Sequence, residues 1–409
     1  MESSAVGNMK IEWAMSHMKI LNKIEEKFAK TMPFKGKKIA MALHVEAKTA
    51  YLAIVLKKGG AEVSLTGCNP LSSDDSVISA LKENYGINVY GKKGESEQEY
   101  WEYFHKILEV NPDYLIDDGA DLISLVHKEY PSLIPNLHGA NEETTTGIVR
   151  LKAMYNKKEL KIPVIDVNDA YMKHLFDNRY GTGQSTFDGI FTATNLSISG
   201  STVVVAGYGW CGRGIALRAK GLGAKVIVTE IDPMKAVEAH MEGYTVMKMS
   251  QAIKYADFVI TSTGCTDVVS KKDLLNAKDG VILSNAGHFN KEISLPDLNE
   301  LAISKKTVRP FVEEYTLKNN KKIYLLGEGR LINLVAGQGH PVEIMDLSFS
   351  LQALSAEYMI NKNYKPNVYS VPKAIDEKVA KLALKTRNIK IDHLTKKQKI
   401  YLNTWNEGT

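Results

Sequence analysis

The segment Gly207-Tyr-Gly-Trp-Cys-Gly212 carries three glycines in the order GxGxxG, a spacing that lets backbone N–H groups lie against a diphosphate. An apolar run, Thr202-Val-Val-Val-Ala206, leads into it and a helical pattern opens on it. Glu230 stands 18 residues after Gly212, at the end of the next apolar run, Lys225 to Thr229. Gly207 permits the tight turn, Gly209 the approach of a pyrophosphate, and Gly212 the packing of helix on strand, while the helix N-terminus attracts negative charge. A carboxylate at Glu230 accepts hydrogen bonds from both ribose hydroxyls of NAD and repels a 2′-phosphate, so NAD is expected over NADP. Lys235, five residues on, either offsets that repulsion in part or is a solvated helix lysine.

A second set of chemically capable residues follows apolar runs in the first half of the chain. These are His44 and Glu46, Cys68 and Asn69, Lys92, Asp117 and Asp118, and Asn168 and Asp169. Ligands of open α/β sheets bind beyond the carboxyl ends of strands, so these groups should converge on one crevice.

The elements that must position them read as a doubly wound α/β architecture. Strands are expected at Lys38 to Leu43, Glu62 to Thr66, Ile87 to Tyr90, Tyr114 to Ile116 and Val164 to Val167. A second series covers Thr202 to Ala206, Lys225 to Thr229, Phe258 to Thr261, Val281 to Ser284 and Ile323 to Leu326, a sheet of about five or six strands. Beyond Phe349 the pattern turns helical, with Ile375, Val379 and Leu382 on one helix face and a short helix from about Thr395 to Leu402 that should pack on a neighbour. No repeat or low-complexity linker occurs, so the boundary near Gly181 to Gly189 is expected to be a hinge.

At 409 residues the chain suits two domains. Hydrophobic residues make up 44% and charged residues 24%, ordinary globular usage, and no stretch approaches the roughly 20 apolar residues of a membrane span. Met1-Glu2-Ser3-Ser4 lacks the basic-then-apolar pattern of a secretory signal, which predicts a cytoplasmic protein. Cys68, Cys211 and Cys265 show neither CxxC nor Cys/His ligand spacing, so free thiols are expected, with no disulfide and no metal site. A net charge of +5 without a basic, aromatic-laced stripe argues against nucleic acid as a partner.

Around the glycine loop, a series of motifs resembles the S-adenosylhomocysteine hydrolase (adenosylhomocysteinase) family over nearly the whole chain. They are Leu43-His44, Cys68-Asn69, Asp117-Asp118-Gly119, Glu142-Glu143-Thr-Thr-Thr146-Gly147, Asn168-Asp169, Phe176-Asp177-Asn178, Thr263-Gly264-Cys265, Gly287-His288-Phe289, Glu328 to Asn333, and Gly339-His340-Pro341. The resemblance implies two Rossmann-like parallel-sheet domains joined by a hinge. A substrate-binding domain would span residues 1–183 with 341–372 returning to it, an NAD domain residues 184–340, and a helical oligomerisation element residues 373–409 of a homotetramer.

It also implies reversible hydrolysis of the thioether to adenosine and homocysteine in the methyl cycle, with tightly bound NAD. The thiolate of such a substrate must leave an unactivated saturated carbon. Oxidising the ribose 3′-hydroxyl to a ketone makes the 4′ hydrogen acidic, so homocysteine can be eliminated, water added and the ketone reduced again. By resemblance, Lys173 and Asp177 flank the 3′-hydroxyl, with Glu143 and Asn178 completing the set. Lys173 is expected to take that proton, which requires desolvation or a nearby cation to lower its pKa. Asp118 would handle the 4′ proton, and His44 and His288 the protons of sulfur and water. Glu46, Lys48, Thr49, Asn69, His340, Met345 and Phe349 are expected to hold substrate. Thr144, Thr145, Thr146, Thr263, Asn285 and Asn333 would join the glycine loop, Glu230 and Lys235 around the cofactor, and Thr144 to Thr146 can also cap the following helix.

Several residues depart from the family pattern. Relatives often carry Thr and Glu where this chain has Glu46 and Lys48. A glutamate accepts from the 6-amino group of adenine, whereas Lys48 only donates, which suits the 6-oxo group of hypoxanthine and so S-inosylhomocysteine. Alternatively, Lys48 pairs with Glu46 or lies outside the base pocket. Thr182 replaces a frequent cysteine, Lys235 an asparagine, and the sequence stops at Trp405-Asn-Glu-Gly-Thr409 without the Lys/Tyr-bearing tail of many relatives. The chain most resembles the short archaeal and thermophile branch. Rival readings are a 2-hydroxyacid-type NAD dehydrogenase and a catalytically silent NAD-binding protein.

Overall fold

The computed structural model describes residues 3–406. The two extremities, Met1-Glu2 and Glu407 to Thr409, lie outside the described residues, and with them the ends of the segments read above for a signal and a tail. Two sheets organise the chain. The first contains β1 (Lys38–Ala42), β2 (Glu62–Thr66), β3 (Asn88–Tyr90), β4 (Tyr114–Asp117), β5 (Gly139–Glu142) and β6 (Pro163–Asp166). The second contains β7 (Thr202–Ala206), β8 (Lys225–Thr229), β9 (Thr245–Val246), β10 (Phe258–Thr261), β11 (Val281–Asn285), β12 (Ala302–Arg309), β13 (Val312–Leu317) and β14 (Lys322–Leu326). A last strand, β15 (Asn367–Ser370), returns to pair in parallel with β6.

Their orders are β15-β6-β5-β4-β1-β2-β3 and β12-β13-β14-β11-β10-β7-β8-β9. Both therefore reverse direction beside their first strand, at β1/β4 and at β7/β10, and such switch points open the crevice where ligands bind. All pairings in the first sheet are parallel. In the second, the short strand β9 and the antiparallel edge formed by β12 and β13 are not revealed by apolar patterning, so this sheet has eight strands in place of five or six. β12 carries Ser304-Lys305-Lys306-Thr307 and is largely exposed, a polar edge that discourages pairing with another chain.

Two N-terminal helices, Ser4–His17 and Lys19–Thr31, and the helix Val342–Met359 cover the first sheet, and Met345, Leu347 and Phe349 join its core. Buried carboxylates tie these distant segments together. Asp346 accepts from the Ile20 and Leu21 N–H groups at 2.9 and 2.8 Å, closing the start of the second helix. Asp376, on the helix Lys373–Thr386, does the same for Tyr171 and Met172 at 2.8 and 2.9 Å. The short helix Lys396–Leu402 starts at a Thr395/Gln398 capping box and buries none of its residues. Gly181 to Gly189, the expected hinge, is helical, since a π-turn at Asp177–Gly181 runs directly into the helix Thr182–Thr194. Among the described residues no helix is long and apolar enough to cross a membrane.

Candidate active site

Lys173 lies on the single turn Tyr171–His174, whose N-terminus Asp376 holds, and the π-turn that follows swings Asp177 and Asn178 back toward it. Such turns recur at functional sites because they re-aim side chains without ending the helix. The Lys173 ammonium donates to Asn178 Oδ1 at 2.8 Å and pairs with Asp177 at 3.3 Å and Glu143 at 3.5 Å. Asn178 donates in turn to Asn168 at 3.0 Å. Burial works against the lysine's charge, but Asp177, Glu143 and Asp118 outweigh it and hold Lys173 above the ordinary lysine range. The expected lowering is thus reversed: three carboxylates surround the ammonium.

Asp177 shows the complementary effect. Burial opposes its charge, yet Lys173 and His340 hold it well below the usual carboxylate range. Ser348 donates to it at 2.7 Å. Glu143 is pushed up to about 7 by burial, against the pull of Lys173. Its Oε2 accepts from Gln352 at 2.5 Å, whereas Oε1 is buried without a hydrogen bond.

A second cluster forms at the β1/β4 switch point. Asp118 Oδ2 faces His44 Nε2 at 3.4 Å, and its Oδ1 faces His288 Nδ1, from the other sheet, at 3.5 Å. Burial, ahead of the opposing field of Asp118, brings His44 down to about 4, so its imidazole is neutral at pH 7. The ring's Nδ1 meets Ser72 Oγ at 2.7 Å and Cys68 Sγ at 3.3 Å. Burial and Asp118 raise the Cys68 thiol and keep it protonated. Ligand atoms of His44, Asp118 and His288 lie within 4.8 Å of one another, a proximity that spacing along the chain did not suggest.

At the other switch point, the backbone fits a dinucleotide. Gly207 has φ +93°, and a Cβ on Gly212 would stand 1.9 Å from the Gly207 carbonyl oxygen, so neither position admits another residue cheaply. Gly209 faces open space and begins the helix Trp210–Gly221 with no side-chain cap, leaving first-turn N–H groups for a diphosphate. The Glu230 carboxylate accepts from the Tyr208 and Ile231 N–H groups at 2.6 and 2.7 Å, beside that loop. Lys235 pairs with Asp232 at 3.7 Å on the surface. Asn333 lines the cavity with a buried Oδ1 that has no partner among the described residues, an acceptor suited to an amide donor.

Other expected cofactor residues shape the backbone. Asn285 donates to the carbonyls of Gly287, Phe289 and Gly329 and so fixes the loop that carries His288. The backbone N–H and hydroxyl of Thr263 and the N–H of Gly264 donate to Glu292, each at 2.8 Å. Thr144 begins the helix Thr145–Asn156, but its side chain makes no capping bond; Glu142 accepts its N–H instead. Thr145 is exposed, while Thr146 Oγ1 stands 3.6 Å from where a Cβ on Gly264 would lie.

One cavity is lined by Lys173, Asp177, Asn178, Glu143, Asp118, His44 and His288, together with Glu46, Lys48, Thr49, Thr144, His340, Met345 and Phe349. Asn69, also expected to hold substrate, is buried but does not line it and instead turns the chain by accepting from Leu71 N–H at 3.0 Å. Lys48 pairs with Glu46 at 2.8 Å and donates to the Gln338 carbonyl at 2.9 Å, so the expected pairing and a place in the cavity hold together. Sequence reasoning missed Cys211, which lines the cavity, and Ser72, Ser348, Gln352 and Glu292, which orient its walls. Nothing in the sequence set Ser348 and Gln352 apart, since the same helix also buries Asp346, Ser350 and Ser355.

Comparison with known proteins decides the family. Residues 1–130 match the model for S-adenosyl-L-homocysteine hydrolase, and residues 178–339 match that for its NAD binding domain. An adenosylhomocysteinase from Thermoplasma acidophilum is 56% identical over 98% of this chain and 99% of its own length. The chain belongs to the S-adenosyl-L-homocysteine hydrolase family. An S-inosyl-L-homocysteine hydrolase from Methanocaldococcus jannaschii is 57% identical over 98% of this chain and 97% of its own. A third relative, an adenosylhomocysteinase from Thermotoga maritima, is 55% identical over 98% and 99%. Among solved structures, this S-adenosyl-L-homocysteine hydrolase family member also resembles more distant proteins. A dipicolinate synthase from Bacillus halodurans aligns with a TM-score of 0.45 at 13% identity, over 80% of this chain and 99% of that one. The chain is thus an NAD-binding hydrolase of the adenosylhomocysteinase type, with two Rossmann-like sheets and C-terminal helices.

Proposed function

We propose that this hydrolase reversibly cleaves S-adenosyl-L-homocysteine to adenosine and homocysteine, with S-inosyl-L-homocysteine as the second reading. The observation that carries the proposal is one cavity lined by two separate proton-handling clusters, Lys173–Asp177–Glu143–Asn178 and Asp118–His44–His288.

When bound, NAD supplies reversible acceptance of a hydride from the ribose 3′ carbon. Lys173 and Asp177 hold the 3′-hydroxyl, and because Lys173 already carries a proton, its partner Glu143 is the proton sink: it sits near 7 and its Oε1, 3.5 Å from the Lys173 ammonium, accepts no hydrogen bond. Asp118 removes the 4′ proton made acidic by the ketone, the C5′–S bond breaks, and that proton passes from Asp118 through a histidine of the second cluster to the departing thiolate. Water would then add its oxygen to C5′ while C4′ recovers a proton through the same cluster. The neutral His44 is suited to accept a proton from water.

The base is read by Lys48. Two of its partners are the Gln338 carbonyl and the Glu46 carboxylate, and an ammonium has three N–H donors, so one remains for a 6-oxo group. Relatives of similar identity bear both names. Thiol release measured in parallel on the adenosyl and inosyl thioethers separates the two. A strong preference for the adenosyl compound removes the second reading, and unchanged release after the dinucleotide is stripped out removes both.

Residues 1–183 with 341–372 would bind substrate and 184–340 the dinucleotide, a division supported by the two sheets and by β15 returning to the first. A homotetramer is supported by the exposed Ile391, Ile400, Leu402 and Trp405 in the C-terminal segment.

A further inference from the structure

Asp118 sits on an unusual turn. Gly119 has φ +104° and Ala120, a residue with a Cβ, has φ +61°, a left-handed conformation that ordinary side chains avoid. A Cβ on Gly119 would stand 2.3 Å from His288 Nε2, so the turn runs directly under that ring. Strain of this kind persists only where surrounding contacts impose it.

The contact that imposes it is the carboxyl of Glu142, at the end of β5. It accepts from Gly119 N–H at 2.8 Å and Ala120 N–H at 3.0 Å, and on the other side from Thr144 N–H at 3.0 Å. Asp117 supports the same turn from β4 by accepting from Asp118 N–H at 2.9 Å and Ile123 N–H at 2.8 Å. Both carboxyls are wholly buried, and burial raises both. Gly147 makes room: a Cβ there would stand 2.2 Å from the Glu142 carboxyl carbon. Neither acid lines the cavity, so neither touches substrate.

We propose that Glu142 is a positioning residue that sets the Asp118 carboxylate between His44 and His288, and so governs removal and return of the 4′ proton without governing oxidation at C3′. This rests on the reaction proposed above. A misplacement of about 1 Å at a proton-transfer group costs on the order of a hundredfold. A carboxamide at position 142 would turn one acceptor into a donor facing backbone N–H groups, and the turn would relax.

The test uses holoenzyme mixed with S-adenosyl-L-homocysteine or its inosyl analogue, whichever it turns over, and reads two steps. Appearance of the reduced-nicotinamide band reports C3′ oxidation, and exchange of the 4′ hydrogen in deuterium oxide reports the Asp118 step. In Glu142→Gln the band should form at a rate within about twofold of the parent, while 4′ exchange and homocysteine release fall by about 10- to 100-fold. Gly147→Ala, which displaces the same carboxyl while keeping it, should reproduce this split, and Asp118→Asn should share it. Equal loss of both steps, loss of neither, or failure of both Glu142→Gln and Gly147→Ala to fold with dinucleotide bound overturns the proposal. If the parent itself shows neither the band nor exchange, the reaction assigned above fails instead.

Discussion

Among the site's side chains, Lys173 is where charge and chemistry meet most directly. Its ammonium pairs with Asp177 and Glu143, so replacing it removes the cation that both carboxylates share in a buried site. Lys173→Met should lower homocysteine release by about 10²- to 10⁴-fold in a thiol-trapping assay. Glu143 offers a pH signature. Its carboxyl is raised from 4.5 to about 7, so the folded state holds a proton that the unfolded chain releases earlier. Its stabilising contribution is therefore complete below pH 4.5 and is lost as pH rises through about 7. Thermal melts should show a fall in Tm across that window, and the fall should be smaller in Glu143→Gln. At the base end, Lys48→Glu should move the inosyl-to-adenosyl ratio of kcat/KM toward adenosyl by about tenfold to a hundredfold. An unchanged ratio would place the purine away from Lys48. The candidate residues could be read from the sequence because motif spacing marks them; their charge states could not, since those depend on neighbours such as His340 and Ser348, far along the chain.

At the scale of elements, legibility followed chemistry. β7, β8 and β10 are short runs built around Val and Ile, and they were placed to the residue. β5, Gly-Ala-Asn-Glu, has no β-branched residue, and its strand character comes from its neighbours: Asn141 donates to both the carbonyl and the side-chain oxygen of Gln352. β12 escaped notice for the opposite reason, being an exposed, lysine-bearing edge with no buried face. The turn that carries Lys173 depends on a carboxylate contributed from the C-terminal part of the chain. Asp376→Ala should cost about 1 kcal/mol of stability in denaturant melts, as loss of a helix cap does. It should also lower kcat for thiol release more than it raises KM. A loss of stability with kinetics unchanged would show that the turn does not need this anchor.

For the molecule as a whole, the two sheets repeat one strand order and bring their switch points to one cavity. Side chains meet across the two halves at several points: His174 stacks on Trp210 with ring centroids 4.7 Å apart, Lys48 reaches Gln338, and His340 reaches Asp177. The C-terminal segment adds exposed apolar side chains and no burial of its own. Removing residues 388–409 should therefore reduce the mass measured by light scattering below that of a tetramer, while a monodisperse tetramer after truncation would assign assembly elsewhere. The pairing of Asp118 with His288 across the two sheets has a kinetic consequence. Because one partner rides on each half, any separation of the halves dismantles the acid–base relay at the same moment that it admits bulk water. On the reaction proposed here, a gaping molecule would be idle and not leaky, and the half-finished, oxidised sugar would meet full catalytic power only while it is shut away from solvent.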